Sequence, residues 1–159
     1  MPALDALCAH HHAATQSSTV SISGRAAPLI YALVSRLASL RYALLVVDLQ
    51  GWFDATRLDC ADEDLHHVHV MQQQDEEPRT REEEEERATA AEIRAAAGEV
   101  MRAAPLASRH RVWWGTVVIG ADAAAGRVVV PLRAAQAWLR VERRGEAWLA
   151  ECEWGSFVF

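Results

Sequence analysis

Lysine is missing altogether: all 16 basic residues of the chain are arginine. That absence removes every chemistry that requires a lysine amine, and with the many alanines it reflects a GC-rich coding sequence rather than a function. Cysteine is scarce. Cys8, Cys60 and Cys152 form an odd, scattered set, which argues against a disulfide framework and makes a reducing compartment the default. No apolar run approaches the length of a membrane span, and the first residues lack the basic-then-apolar pattern of a secretory signal. The expectation is a protein that is neither membrane-embedded nor secreted. Positive charge is in short supply too: a net charge of −6 and a pI near 5.6 argue against a broadly basic nucleic-acid surface.

What is present is a globular composition. Hydrophobic residues make up 51% and charged residues 24% of 159 residues, enough for one domain with a sizeable core. The chain reads around Tyr42 to Leu58, YALLVVDLQGWFDATRL. A short Val- and Leu-rich run bounded by a turn signal suits a strand buried on both faces of a parallel α/β sheet. Asp48 closes that run, and the carboxyl end of such a strand is where open α/β sheets place ligands.

Residues 1–18, with His10, His11 and His12, read as a mobile terminus. Thr19 to Ser23 alternates like a short strand that Gly24 ends. Pro28 suits the first turn of a helix, and Leu29, Leu33, Leu37 and Leu40 follow at helical spacing. Asp64 to Met71 is the next strand candidate. Of His66, His67 and His69 within it, the last two share a strand face while His66 points the other way, and no cysteine motif is nearby, so exposed strand histidines are expected rather than a metal site. Residues 72–86 are polar and acidic, and read as a flexible loop before a helix over about 83–103. From residue 111 onward strand formers dominate: Val112 to Ile119, Arg127 to Leu132, and two arms flanking Arg143-Arg144-Gly145 as a hairpin. In the second arm Trp148, Ala150, Cys152 and Trp154 alternate with Leu149, Glu151 and Glu153, the period of a strand with one covered face. The order predicts an α/β layered fold over residues 19–159, with a mainly parallel core and an antiparallel hairpin extension over 111–159.

Asp48, Gly51, Phe53, Asp54, Arg57 and Leu58 carry a resemblance. In register and without a gap they are similar to the end of a long strand in the RecA-like recombinase family, including the shorter eukaryotic recombinase paralogues. The resemblance implies a RecA-like, P-loop-type fold, a role in homologous recombination and DNA repair, another RecA-like paralogue as partner, weak or indirect DNA binding, and a nuclear location, otherwise a cytoplasmic one. It also implies a nucleotide site, and here the chain departs from the pattern. Gly24-Arg25-Ala26-Ala27-Pro28-Leu29 stands where the phosphate loop needs a second glycine, a lysine and a hydroxyl. Gln50 stands at the position of the glutamate that activates water, and an amide is no general base. The strand Val112 to Ile119 ends in Gly120, where the family has a magnesium-linked aspartate, and Asp122 is out of register. The expectation is a pseudo-ATPase without cofactor or metal, whose nucleotide site (Gly24, Arg25, Asp48, Gln50) is degenerate.

Two rivals remain. ALLVVDLQGWF also resembles the opening of isochorismatase-like hydrolases, which pair the Asp with a Lys and a nucleophilic Cys; the lysine is absent. Trp114-Gly115, with Trp148, Trp154, Phe157 and Val158, resembles helical Bcl-type interaction modules, although the flanking arms alternate as strands do. Core filling is the expected role for most of the six tryptophans. Trp52, Trp113 and Trp114 are the candidates for an interface, because tryptophan is enriched at hot spots and adjacent strand residues face opposite ways.

Overall fold

The computed structural model describes residues 1–16, 22–48, 51–72, 95, 98–99, 102, 110–119 and 139–159. It is an α/β fold with two sheets, one wholly parallel and three-stranded, the other four-stranded and mostly antiparallel. The chain divides into two compact units, 1–33 with 132–159 and 34–131.

The first unit opens with helix α1, Pro2–Thr15, with Pro2 at its first turn and Gln16 closing it in the left-handed conformation at φ 56°. Residues read as a mobile terminus are therefore helical. Leu4 is buried on this helix, and Leu4 and Cys8, one turn apart, pack into an apolar cluster. Strand β1, Ile22–Gly24, runs parallel to β5, Leu139–Arg144. Strands β6, Ala147–Cys152, and β7, Gly155–Val158, extend that sheet in the order β1-β5-β6-β7. The hairpin between β5 and β6 turns on Gly145 and Glu146, with Gly145 at φ 63°. A positive φ at the first of two central residues is the geometry of the tight hairpin turns that match strand twist. Val141, Ala150, Leu139, Leu29 and Leu4 form the core of this sheet's covered face, with Trp148, Cys152 and Phe157 packed against it. The period of two read along 148–152 is thus realised.

Helix α2, Ala27–Ser39, runs from the first unit into the second and ends where the leucine spacing and Pro28 place it, at about Ser39. Leu40 lies beyond the helix and is exposed. The second unit holds β2, Tyr42–Asp48, between β3, Val68–Gln72, and β4, Val112–Ile119, all parallel. Ala43 to Asp48 are buried without interruption, which is why the sequence shows a continuous apolar run rather than alternation. Each fully buried Leu or Val of β2 contributes about 1.5–3 kcal/mol.

Three readings are corrected. Of the strand expected at 19–23, the described part, within Ile22–Gly24, pairs with β5 and not with β2, so the three-stranded parallel sheet does not include it. A Cβ at Gly24 would collide with the Val141 carbonyl oxygen, and the amide of Arg25 donates to that same oxygen at 2.9 Å; this close approach fixes β1 beside β5. The segment 64–71 is not one strand: Asp62–Leu65 is a short helix, α3, and β3 begins at Val68. Asp62, Glu63 and Asp64 fill its first turn, where acidic groups oppose the helix dipole. The helical-module alternative is excluded by the strands at 112–119 and 139–158. Of the helix expected over 83–103, the described positions Ala95, Gly98, Glu99 and Arg102 are helical. The acidic run and the strand expected at 127–132 lie outside the described residues.

Arg41 sits at φ 64° in the turn between α2 and β2, a left-handed conformation in a residue with a Cβ. Arg41→Gly removes that strain, and urea unfolding should show a gain of about 0.5–1 kcal/mol.

Candidate functional site at the carboxyl end of the parallel sheet

Register sets Asp48 level with Gln72 on one neighbour and Ile119 on the other. The strand that comes first in this sheet is its middle strand, with the next two placed on opposite sides. That is the arrangement in which α/β sheets open a crevice at the strand carboxyl ends.

Asp48 does not face into such a crevice. Its side chain is fully buried, Oδ1 accepts the amide of Gly51 at 3.0 Å, and Oδ2 accepts the amide of Phe53 at 2.7 Å. Each oxygen thus holds a backbone donor of the loop that follows the strand, the charge-assisted bonding that makes a buried carboxylate tolerable. Gly51 at φ 69° permits the reversal this requires. Phe53 and Leu58 are buried at either end of the loop. Between them Asp54 caps a 3-10 turn, Ala55–Arg57, accepting from the Thr56 amide at 3.0 Å and donated to by the Thr56 hydroxyl at 2.7 Å. Those bonds from Thr56 hold the Asp54 carboxyl below its ordinary range. Arg57 is exposed on the same turn. The six motif residues are therefore brought together in one loop, where both carboxylates organise backbone.

Gly24 and Arg25 lie in the first unit and Asp48 in the second. Gly24 is explained by its approach to Val141, without any phosphate. Gln50 lies outside the described residues. Trp52 and Trp113 are half-buried. Trp114 is the extra residue of a β-bulge: Ala43 pairs with Trp113 and Leu44 with Gly115. The bulge turns Trp114 outward, to 43% exposure.

Sequence reasoning missed the opposite end of the sheet. Arg111, just before β4, forms an ion pair with Asp64 on α3 and donates to the Ala38 carbonyl near the end of α2 at 3.0 Å. Both side chains are largely buried, at 10% and 17% exposure, so the pair ties three elements together at one point. The Ser35 hydroxyl oxygen accepts the Asp59 amide at 2.9 Å. Partners so distant in sequence leave no spacing signal. His67 and His69 are half-buried, and burial pushes both below the ordinary imidazole value, with Arg111 adding to the effect at His67. Among the described residues no three His, Cys, Asp or Glu side chains group as a metal site would need.

Comparison with family models, with curated proteins and with solved structures found no match to this chain. The fold and site thus define a class, an α/β protein with a three-stranded parallel sheet and a mostly antiparallel companion sheet.

Asp48→Ala strands two backbone amides, that of Phe53 buried and that of Gly51 partly so, and urea unfolding should show a loss of about 2–4 kcal/mol; Asp48→Asn keeps one acceptor and should cost less. An unchanged midpoint in both variants would deny the carboxylate its structural role. His67 and His69 have folded values below the unfolded 6.5, so the unfolded chain binds protons more readily. Their contribution is therefore a loss of stability as pH falls through 6.5, and chemical denaturation of His69→Gln should show a weaker pH dependence than the wild type.

Proposed function

We propose that this chain is a non-catalytic accessory protein, a RecA-like pseudo-ATPase of the short recombinase-paralogue type, acting by protein association in homologous recombination and DNA repair. The observation that carries its non-catalytic character is the bonding of Asp48. A fully buried carboxylate that holds the Gly51 and Phe53 amides has no exposed oxygen for a magnesium–nucleotide complex or an attacking water. The absence of a phosphate-loop lysine and hydroxyl in 24–29 supports the same reading. Membership of the RecA-like group rests on the run Asp48, Gly51, Phe53, Asp54, Arg57 and Leu58.

Association is supported by β4. Among the described strands it is an edge of the parallel sheet, and it exposes Val112 at 66% and Trp114 at 43%. An edge that presents large apolar side chains is a surface for a protein partner, here a second RecA-like paralogue. The net charge of −6 keeps DNA contact weak or indirect, and a nuclear location belongs to the same proposal. No helix among the described residues is long and apolar enough to cross a membrane.

Calorimetry with magnesium–ATP should give no binding heat, and phosphate release should not exceed the protein-free blank. Tight binding, or turnover that Asp48→Ala abolishes, overturns the pseudo-ATPase reading. Affinity purification from the native cell should recover recombinase-family proteins with the wild type and lose them with Trp114→Ser. Recovery of none by the wild type defeats the association reading.

A further inference from the structure

Two of the three thiols converge on one apolar cluster of the first unit. Cys8 follows Leu4 by one turn on α1, and Cys152 follows Ala150 by two residues on β6, so each shares a face with a buried member of the cluster. Both cysteines are half-buried, carry free thiols and pack against that cluster. The residues around them bring the two positions closer still. A Cβ placed on Gly155 would stand 3.5 Å from Leu7 Cδ2, and Gly155 is the cross-strand partner of Cys152. The rings of His11 and His10 lie 5.5 and 5.6 Å, centroid to centroid, from Trp154, two residues beyond Cys152. Contacts on both sides of Cys8 in sequence thus reach the turn that begins at Cys152. Burial, and then the charges of Asp5 and Cys152, push the Cys8 thiol up, which fits a neighbour close enough to be felt.

We infer that Cys8 and Cys152 form a reversible disulfide that clamps α1 onto the β6–β7 hairpin. The oxidant is a small-molecule disulfide of the glutathione type. One protein thiolate attacks its S–S bond, forming a mixed disulfide and releasing one small thiol. The second protein thiolate displaces the other small thiol and closes the bond. Two protein thiols lose two protons and two electrons, and the cleaved oxidant leaves as two thiols. Cys60 belongs to the second unit and takes no part. The bond restricts the unfolded chain across nearly its whole length, the situation in which a cross-link stabilises most. This inference is independent of the proposed association role.

The test incubates the full chain in buffers of graded glutathione to glutathione-disulfide ratio, followed by mass spectrometry and non-reducing peptide mapping. The expected result is the loss of two hydrogens, a linked peptide pair containing Cys8 and Cys152, and reversal by excess reduced glutathione. The oxidised wild type and the oxidised Cys60→Ser variant should both melt higher than their reduced forms, a rise that Cys8→Ser and Cys152→Ser abolish. A dominant link through Cys60, or glutathione adducts on Cys8 and Cys152 without a link between them, overturns the inference. The wild-type peptide map decides this even if a single variant fails to fold.

Discussion

A carboxylate buried without solvent exposure must find its donors inside the protein, and at Asp48 those donors are the amides of Gly51 and Phe53. Everything at that end of the parallel sheet depends on this bonding. It terminates the central strand and reverses the chain at Gly51. It also sets Phe53 and Leu58 into buried positions, so that the loop closes over the strand end. A residue type that in other sheets serves a ligand here serves the backbone.

The other end of the sheet is secured differently. Arg111 joins Asp64 and the Ala38 carbonyl, so one guanidinium fastens α3, the end of α2 and the start of β4. Its five donors in a fixed fork suit it to such a junction, where a lysine would offer a single point charge. A largely buried pair of this kind is costly to break from one side, because it leaves the other charge unpaired. The two ends of β2 are thus held by acid–amide bonding at one and by an ion pair at the other. Between them lies the uninterrupted burial of Ala43 to Val47.

Much of the local structure was legible. The strand Tyr42–Asp48, the leucine-spaced helix Ala27–Ser39 and the alternation along Ala147–Cys152 follow from periodicity, which tracks burial directly. Helix α1 was not legible, because its inward face mixes Leu4 and Cys8 with His11 and gives a weak apolar stripe. Nor was the start of β3, since the acidic turn Asp62–Leu65 belongs to a helix whose four residues are too few to show a period. In the candidate site, the motif residues of 48–58 were found together, but the direction of the Asp48 carboxylate was not. A strand-end aspartate reads identically in sequence whether it faces a ligand or its own loop.

The sequence by itself determined the buried strand Tyr42–Asp48, the helix Ala27–Ser39 and the alternating strand Ala147–Cys152, the lack of lysine, and the clustering of Asp48, Gly51, Phe53, Asp54, Arg57 and Leu58, because each is a local property of composition or spacing. Only the tertiary structure decided that β1 pairs with β5, that Trp114 bulges outward, that Arg111 meets Asp64, and that Cys8 and Cys152 share one cluster. These depend on residues far apart in the chain, whose meeting is fixed by packing and by the need of buried polar groups for partners.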